Sequence, residues 1–368
     1  MNRMVLGNLL HRPLRSVISV LAVAIEVIMI LSIVAIMVGM VAGSRTQTSG
    51  IGADLIVRPP NQSFLTGVSG APVPAKVAEV LRKLPHVAVA SPVVQQLTTE
   101  SSGLEIVWGI DYPSFNALRP FTFLSGGPFQ APDDVIVDDI FARTGKGFHV
   151  GDHISILNHT FRICGIVEHG KGGRKFMPIR TLGGLLGAEN GASLFYIKSD
   201  NPQNETLIEK EAHSTPGLSQ YDVETLQAVL SMMTPEHLPG FNIGLHTVIG
   251  IAVLVGFLVI FQAMYTAVLE RTREIGILKS LGASRFYIMN VVLRETALLA
   301  ILGILAGITT AYIIKAILSL TAPTLPFPIT GVWLLNASVI AFVGAMAGAC
   351  YPALKAARKD PIEALAYE

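Results

Sequence analysis

The sequence ERTREIGILKSLGAS, residues 270–284, stands between two long apolar runs and decides how the whole chain is interpreted. On a helix, Ile275, Leu278 and Leu281 recur every third residue and form an apolar ridge. Gly282 is well placed to stop such a helix at its C-terminus. The stretch is therefore predicted to be a short amphipathic helix joined tightly to two longer apolar helices.

Charged residues occupy much of the remaining helical surface of this stretch. The mixed signs of these charges permit local ion pairs, each contributing a few tenths of a kcal/mol. Ser284 can cap the helix that follows. A plain connector lying on lipid headgroups would show the same pattern, so the stretch alone does not assign a role. Its charged positions are Glu270, Arg271, Arg273, Glu274 and Lys279.

Composition indicates a chain that lies partly in a bilayer and partly in water. In this chain 51% of the residues are hydrophobic and 14% are charged. In an ordinary soluble domain about a quarter of the residues are charged. The chain's mean hydropathy of +0.54 is too high for a soluble protein and too low for one embedded throughout. The net charge of +1 gives no sign of nucleic-acid binding.

Four apolar segments are long enough to cross a membrane, which takes about 20 residues. The first is longer than the roughly 7–15 apolar residues of a signal peptide, so it is interpreted as a retained anchor. Cleavage after Gly43-Ser44 is the alternative. The predicted spans are 17–41, 241–269, 291–315 and 332–351.

Lysine and arginine in the short connections predict the orientation of these spans. Basic residues cluster in an amphipathic segment at 1–16, in the connection 270–290 and in the tail 352–368, which are therefore predicted to be cytoplasmic. The loop 316–331 carries no charge and is predicted to be extracytoplasmic. The insert 42–240 then lies outside as well, because an odd number of spans precedes it.

The insert reads as an α+β domain. Its strand-like runs include ADLIVRPP at 53–60, GLEIVWGID at 103–111 and two alternating runs within 148–170. PAKVAEVLRKL at 74–84 has helical spacing. The predicted fold is membrane α-helical: four transmembrane helices with a large α+β extracytoplasmic domain inserted between helices 1 and 2. Its β-rich part is predicted at about 95–200.

Several long stretches resemble one known family. Residues 266–307, TAVLERTREIGILKSLGASRFYIMNVVLRETALLAILGILAG, resemble the C-terminal signature of MacB/FtsX-type ABC transporter permeases. The tail YPALKAARKDPIEALAYE at 351–368 is similar to that family's closing pattern, and NLLHRPLRSVISVLAVAIEV at 8–27 resembles its first helix. The resemblance is looser between about 60 and 230.

The resemblance implies a permease half with four membrane helices that pairs with a second permease subunit, most simply as a homodimer. Each half would contact a cytoplasmic ABC ATPase subunit through a coupling helix, whose apolar ridge and charges fit a groove in the partner. Membrane lipid and a periplasmic adaptor are further implied partners. The implied coupling residues are Glu270, Arg271, Arg273, Glu274, Ile275, Leu278, Lys279, Leu281 and Gly282.

No phosphate-binding G-x-x-x-x-G-K-[ST] pattern occurs in the chain. We therefore expect no cofactor in this chain and no enzymatic activity of its own, with ATP and Mg²⁺ bound by the partner ATPase. The basic, glycine-rich GKGGRK at 170–175 has the wrong order for such a loop. It is expected to form a flexible loop tip, with contact to an anionic ligand or partner as the alternative.

Two features within the predicted spans are candidates for special roles. Glu26 is a lone carboxylate in the first span, which is costly in a bilayer. Either it lines the space between two permease halves and touches cargo, or it is protonated or hydrogen-bonded to a neighbouring helix and only positions it. The pairs Gly303/Gly307 and Gly344/Gly348 permit close helix packing, within the subunit or at a dimer seam.

The insert also holds four histidines within a short distance. The spacing across Gly151-Asp152 indicates a turn and no helical metal pair, so exposed histidines are favoured over a metal or haem site. The two cysteines are predicted to lie in different compartments and to remain unpaired. These residues are His149, His153, His159, His169, Cys164 and Cys350.

The resemblance implies an exporter subunit in a bacterial inner membrane, with both termini cytoplasmic, whose cargo is a hydrophobic, lipid-linked or toxic small molecule. The alternative is an FtsX-like signalling subunit that activates extracytoplasmic partners such as cell-wall hydrolases without transport. The size of the insert favours the exporter. A sensor without an ATPase is disfavoured, because the cytoplasmic parts are too short for an output domain.

Overall fold

A computed structural model of the chain describes residues 13–60, 72–100, 103–145, 147–234 and 241–359. Two compact units make up the chain. The first comprises Met1–Gly39, Gly240–Leu318 and Phe327–Glu368, and the second Met40–Pro239 and Ser319–Pro326. Most of the predicted segment 1–16, and residues 360–368 of the predicted tail, lie outside the described residues.

Long helices belong mainly to the first unit, and short helices and strands to the second. The α-helices are α1 (Pro13–Ser49), α2 (Val77–Leu81), α3 (Tyr112–Leu118), α4 (Asp139–Ala142), α5 (Ile179–Leu185), α6 (Glu205–Ser214), α7 (Leu226–Met232), α8 (Phe241–Glu270), α9 (Thr272–Ser280), α10 (Arg285–Thr321) and α11 (Gly331–Arg358). The strands are β1 (Leu55–Arg58), β2 (Val73–Pro74), β3 (Val87–Glu100), β4 (Gly103–Ile110), β5 (Phe123–Gly126), β6 (Asp134–Asp138), β7 (His153–Ile156), β8 (His159–Val167), β9 (Lys175–Pro178), β10 (Gly191–Ala192), β11 (Leu194–Ser199) and β12 (Asp222–Thr225).

Four helices, α1, α8, α10 and α11, are long and apolar enough to cross a membrane. The prediction of four membrane helices with a mixed α/β domain between the first and second is therefore confirmed. The helices run past the predicted spans, because more polar residues continue them beyond the apolar runs. The connection between α10 and α11 is correspondingly shorter than the predicted loop.

Small residues allow the four helices to approach one another closely. An added Cβ at Gly303 would lie 2.6 Å from Cβ of Val23, so this glycine lies directly against α1. At Gly348 it would lie 2.7 Å from the backbone oxygen of Phe257 in α8. A stripe of fully buried alanines with a four-residue period continues this close packing along α11. The stripe consists of Ala337, Ala341, Ala345, Ala349 and Ala353.

A ten-stranded sheet forms the frame of the second unit, in the order β12-β1-β11-β3-β4-β9-β6-β8-β5, with β7 paired to β8. The β4–β9 and β6–β8 pairs are parallel, and the other pairs are antiparallel. Its strands run from 55 to 225 and so extend beyond the predicted β-rich part at 95–200. The outlying strands β1 and β12 have four residues each, too few for a clear alternation in sequence.

An aromatic cluster fills one face of this sheet. Trp108 stacks on Tyr196 with ring centroids 5.9 Å apart. Phe115 and Phe176 each meet the Trp108 ring edge-on at 6.1 Å. Offset and edge-on arrangements are the favoured geometries of aromatic pairs. The 170–175 loop packs against this cluster.

The 170–175 loop joins β8 to β9 and is buried, so the expectation of a flexible loop tip is wrong. Lys171 is only 7% exposed. Its Nζ donates to the backbone oxygens of Phe115, at 3.2 Å, and of Arg119, and it lies 3.9 Å from the ring centroid of Phe121. Burial, together with the neighbouring charges of Arg119 and Lys198, lowers the pKa of Lys171 to about 7.

The other two basic side chains of the loop are also bound within the second unit. Arg174 contacts Asp138 at 3.2 Å and donates to the backbone oxygen of Thr324 at 3.1 Å. Lys175 is 1% exposed and pairs with Glu105 at 2.7 Å. Every basic side chain of this loop therefore meets an acid or a carbonyl, which leaves little positive charge for an anionic ligand.

Candidate functional site

Helix α9 forms the centre of the predicted coupling segment, and its ends follow the sequence closely. Gly282 has a φ of 95°, which glycine adopts without strain. Its N–H donates to the backbone oxygen of Lys279, and that of Ala283 donates to Leu278, the paired bonds of a Schellman stop. Ser284 Oγ accepts from the Tyr287 N–H at 3.2 Å and caps α10.

The inner face of α9 is fixed to the four long helices. Ile275 is 8% exposed and belongs to the same apolar core as Val268 and Ile288. Leu278 is partly buried against that core, whereas Leu281 is 80% exposed. The predicted apolar ridge is therefore divided, because Ile275 and Leu278 bind α9 to its own bundle and are not available to a partner.

Two charged residues of the predicted set also point inward. Arg271 contacts Glu295 of α10 at 3.1 Å, and these side chains are 13% and 4% exposed. Lys279 donates to the backbone oxygen of Ala357 at 3.1 Å and to that of Lys359, at the end of α11. These contacts join α9 to α10 and α11, so the three helices are held as one assembly.

The outer face of α9, the turn that follows it and the start of α10 carry both charged and large apolar side chains. Ile277 is 44% exposed, Leu281 80% and Phe286 69%, and the charged residues beside them are also exposed. We call Arg273, Glu274, Ile277, Leu281 and Phe286 the outer surface. A mixture of apolar anchors and charges is typical of surfaces that bind other proteins.

Sequence reasoning placed only part of this site. The predicted Glu270, Arg273 and Glu274 are exposed as a binding role requires. Phe286 was missed because it lies beyond the predicted helix. Glu295 was missed because a carboxylate near the start of an apolar span has no visible partner in sequence. A signal in the sequence could have found Glu295. That signal is a single acid near one end of an apolar span, together with a basic residue in the connection before that span.

Glu26 lies inside the bundle of this chain. It is 3% exposed, with its carboxyl group beside Gly256 of α8 and Gly344 of α11. The interpretation in which it lines a space between two permease halves and touches cargo conflicts with this burial, because the residues around it belong to its own subunit.

Two histidines of the insert each contact one acidic residue. His159 Nε2 lies 2.8 Å from Asp133, and His169 Nδ1 lies 2.8 Å from Asp139. Within the described ranges, no group of three or more His, Cys, Asp or Glu side chains is placed to hold a metal ion. His149 and His153 lie at the exposed start of the β7–β8 hairpin.

Comparison with known families now assigns the chain. Residues 16–214 match the MacB-like periplasmic core domain, more than half of the chain. Residues 247–361 match the FtsX-like permease C-terminal domain, which includes all of α9 and the outer surface. The chain belongs to the MacB/FtsX-type family of ABC transporter permeases. The resemblance inferred from the sequence is thereby confirmed.

Named relatives of the permease include proteins that export small molecules. It is 26% identical to the uncharacterized ABC transporter permease YknZ of Bacillus subtilis (strain 168), over 100% of this chain and 98% of the relative. It is also 26% identical to the macrolide export ATP-binding/permease protein MacB of Shewanella sp. (strain W3-18-1), over 97% of this chain and 59% of the relative. The permease therefore spans about three fifths of that MacB relative.

A third relative is the pyoverdine export ATP-binding/permease protein PvdT of Pseudomonas savastanoi pv. phaseolicola, 28% identical over 60% of the permease and 35% of the relative. Among solved structures, the permease matches the periplasmic region of MacB from Actinobacillus actinomycetemcomitans with a TM-score of 0.40 and 14% identity, over 50% of this chain and 94% of the other. The extracellular domain of the YknZ transporter matches with a TM-score of 0.36 and 14% identity, over 47% and 98%.

Proposed function

We propose that the permease is the membrane subunit of an exporter powered by a separate ATPase subunit, which binds ATP and Mg²⁺. Hydrolysis on that subunit moves the inserted α/β domain of the permease. The cargo is a hydrophobic, lipid-linked or toxic small molecule, taken from the outer leaflet or the periplasm. The activities for which two relatives are named, macrolide export and pyoverdine export, support this class of cargo.

The exposure of the outer surface is the main observation in support of the proposal. Large apolar side chains such as Leu281, at 80% exposed, are costly to leave in water and gain by burial in a partner. Arg273 and Glu274 beside them can set the orientation of the partner. We assign the outer surface, and not Ile275 or Leu278, to contact with the ATPase.

The inner contacts of α9 support transmission of movement. The Arg271–Glu295 pair and the bonds of Lys279 connect α9 to α10 and α11. A force applied to the outer surface would therefore move these helices together as a rigid body. In the proposed arrangement the outer surface and both termini are cytoplasmic, which accords with the basic residues around α9.

Further partners belong to the same proposal. A second copy of the permease completes the transporter as a homodimer, membrane lipid surrounds the long helices, and a periplasmic adaptor joins the α/β domain. The signalling alternative is less favoured, because the larger family match is to a MacB-like periplasmic core domain and the named relatives include exporters.

Site-specific crosslinking tests the contact with the ATPase. Leu281 is replaced by photoreactive p-benzoylphenylalanine in the full-length permease, and native membranes are irradiated. The expected product is a crosslink to a polypeptide that carries an ATP-binding phosphate loop, identified by mass spectrometry. Leu305, 57% exposed in the apolar part of α10, is the matched control and should crosslink to lipid. Absence of an ATPase from the Leu281 products would refute the contact.

Substitutions test whether the same surface binds the ATPase. Leu281→Asp should reduce recovery of the ATPase with the permease at least tenfold, since it removes an apolar anchor of the interface. Ser280→Asp, at an exposed polar position of α9, is the control and should have little effect. Equal losses in both variants would contradict the assignment of Leu281.

Stimulation of ATP hydrolysis distinguishes export from signalling. The permease and its ATPase are reconstituted in lipid vesicles, and hydrolysis is measured with a macrolide, with a lipid-linked compound and with a cell-wall hydrolase. Stimulation by a small molecule supports export. Stimulation by the hydrolase alone would overturn the exporter proposal in favour of signalling.

A further inference from the structure

The carboxyl group of Glu26 lies in a space that the neighbouring helices leave open for it. An added Cβ at Gly256 of α8 would lie 1.9 Å from Oε2 of Glu26, a distance that no real side chain could keep. At Gly344 of α11 it would lie 3.6 Å from Oε1. Gly256 and Glu26 therefore form a complementary pair, since any larger residue at 256 would occupy the place of the carboxyl group.

Both oxygens of this carboxyl group are fully buried, and neither has a hydrogen-bond partner among the described residues. The α1 neighbours Val23 and Val27 are fully buried apolar residues. Glu26 is thus surrounded by apolar side chains and by the glycines of two other helices. In such a place an ionised carboxylate would lack both water and a counter-charge.

The charged groups of the surrounding helices lie well away from this level of the bundle. The nearer titratable groups, Tyr312 of α10 and Cys350 and Tyr351 of α11, are exposed on the outside of the bundle. On α8 and α11, Tyr265 and Lys355 bind each other at 2.7 Å, and Tyr265 is nine residues from Gly256, about 13 Å along a helix. On α10, Arg294 and Lys315 are exposed and lie about 12 Å or more along the helix from Gly303 and Gly307, which flank the Glu26 level.

Glu295 shows how the same bundle surrounds a buried acid that has a positive partner. It is as deeply buried as Glu26, but Arg271 lies 3.1 Å from it. The bundle thus provides a positive partner for one buried acid and only an apolar, glycine-lined space for the other. A neutral acid needs no counter-charge, so the Glu26 space fits the protonated form.

We propose that Glu26 is a proton-binding site at the centre of the bundle, where it holds a proton as a neutral carboxylic acid while α1, α8 and α11 are packed together. The ligand is a single proton, and Gly256 is the residue that makes room for the acid. Because the site is formed by three helices at once, proton occupancy and the packing of these helices are linked. This proposal does not depend on ATPase binding or on export.

Infrared spectroscopy of the purified full-length protein in lipid tests the protonation state. The difference between the wild type and Glu26→Gln should show loss of a carboxylic-acid C=O band, with little change in the carboxylate bands. Glu295→Gln, which removes the buried acid that contacts Arg271, is the matched control and should leave the Glu26 acid band in place. A Glu26→Gln difference that contains carboxylate bands and no acid band would overturn the proposal.

A pair of substitutions tests the complementarity of Glu26 and Gly256. Gly256→Ala should lower the midpoint of thermal unfolding, and the same change in a Glu26→Ala background should have a much smaller effect, because the methyl group then takes the vacated space. If Gly256→Ala alone does not fold, recovery of folded protein in the double variant gives the same result. Equal shifts in both backgrounds, or failure of both to fold, would contradict the arrangement.

Discussion

Two short segments, 170–175 and 270–284, are both basic and both contain glycine, yet the structure treats their charges in opposite ways. In the first, all three basic side chains are bound to acids or carbonyls of the α/β domain. In the second, the inner face is bound to the bundle and the outer surface remains exposed. Composition alone therefore does not tell a buried connection from one with an exposed face.

The difference has a physical origin in what lies beneath each segment. Beneath 170–175 are an aromatic cluster and the backbone carbonyls at the C-terminal end of α3, which attract cations. Beneath 270–284 is an apolar core, which takes the apolar half of an amphipathic helix and leaves the other half outside. Four predictions test whether the buried contacts of both segments stabilise the protein, as this comparison implies.

The largest effect is expected for Arg271→Ala. The substitution takes from Glu295 a positive partner in a buried site, which typically costs about 3–5 kcal/mol. The measurement is thermal or denaturant unfolding of the full-length protein in detergent. Arg273→Ala, at an exposed position of the same helix, should change the stability by less than about 0.5 kcal/mol. Equal effects would show that the inner and outer charges are equivalent.

The second prediction concerns the end of α1 beside the 170–175 loop. A Cβ added at Gly50 would lie 1.6 Å from the backbone oxygen of Gly170, so Gly50→Ala should destabilise the α/β domain by about 3 kcal/mol. Fluorescence of Trp108 reports unfolding of this domain when Trp333 is replaced by Phe. Gly127→Ala is the control, since nothing lies within 4 Å of its added Cβ. An unchanged unfolding midpoint for Gly50→Ala would contradict the close approach.

The third prediction is a pH dependence that arises at Asp138, the partner of Arg174. Burial raises the pKa of Asp138 to about 6, although the charge of Arg174 opposes the change. The folded domain then binds this proton more tightly than the unfolded chain, whose Asp pKa is about 3.9. Stability should therefore fall by about 2 kcal/mol as the pH rises from about 4 to about 6.5.

Asp138→Asn should remove this part of the pH dependence, as measured by Trp108 fluorescence across the same interval. Asp222→Asn, at an exposed position of the same domain, is the matched control and should leave the slope unchanged. Identical slopes in the wild type and Asp138→Asn would mean that the burial of Asp138 does not control the stability of this region.

The smallest effect is expected for Lys171→Met. The variant keeps the apolar stem but loses the hydrogen bonds to Phe115 and Arg119, while it also removes the cost of burying a charge. We expect a net loss of about 1 kcal/mol in the same assay. Lys83→Met, at an exposed position of the α/β domain, serves for comparison. A Lys171→Met variant as stable as the wild type would show that the loop is held by its backbone and its other side chains.

The sequence was sufficient for features that depend on local or bilayer physics. Long apolar runs specify membrane helices, because only a helix of about 20 residues satisfies its backbone hydrogen bonds across the hydrocarbon core. Gly282 and Ser284 predicted the end of α9 and the start of α10, because stops and caps depend on residues close in sequence.

Only the tertiary structure decided which faces are buried. Three findings depend on contacts between residues that are far apart in the chain. They are the burial of Ile275 but not of Leu281, the burial of Lys171, and the contact between Glu26 and Gly256. The periodicity of apolar residues shows which residues share a face of a helix, but not which neighbouring element that face contacts. The energy of a buried charge depends on that neighbour, through its charge and the water it excludes, and so it follows from the packing of the whole chain.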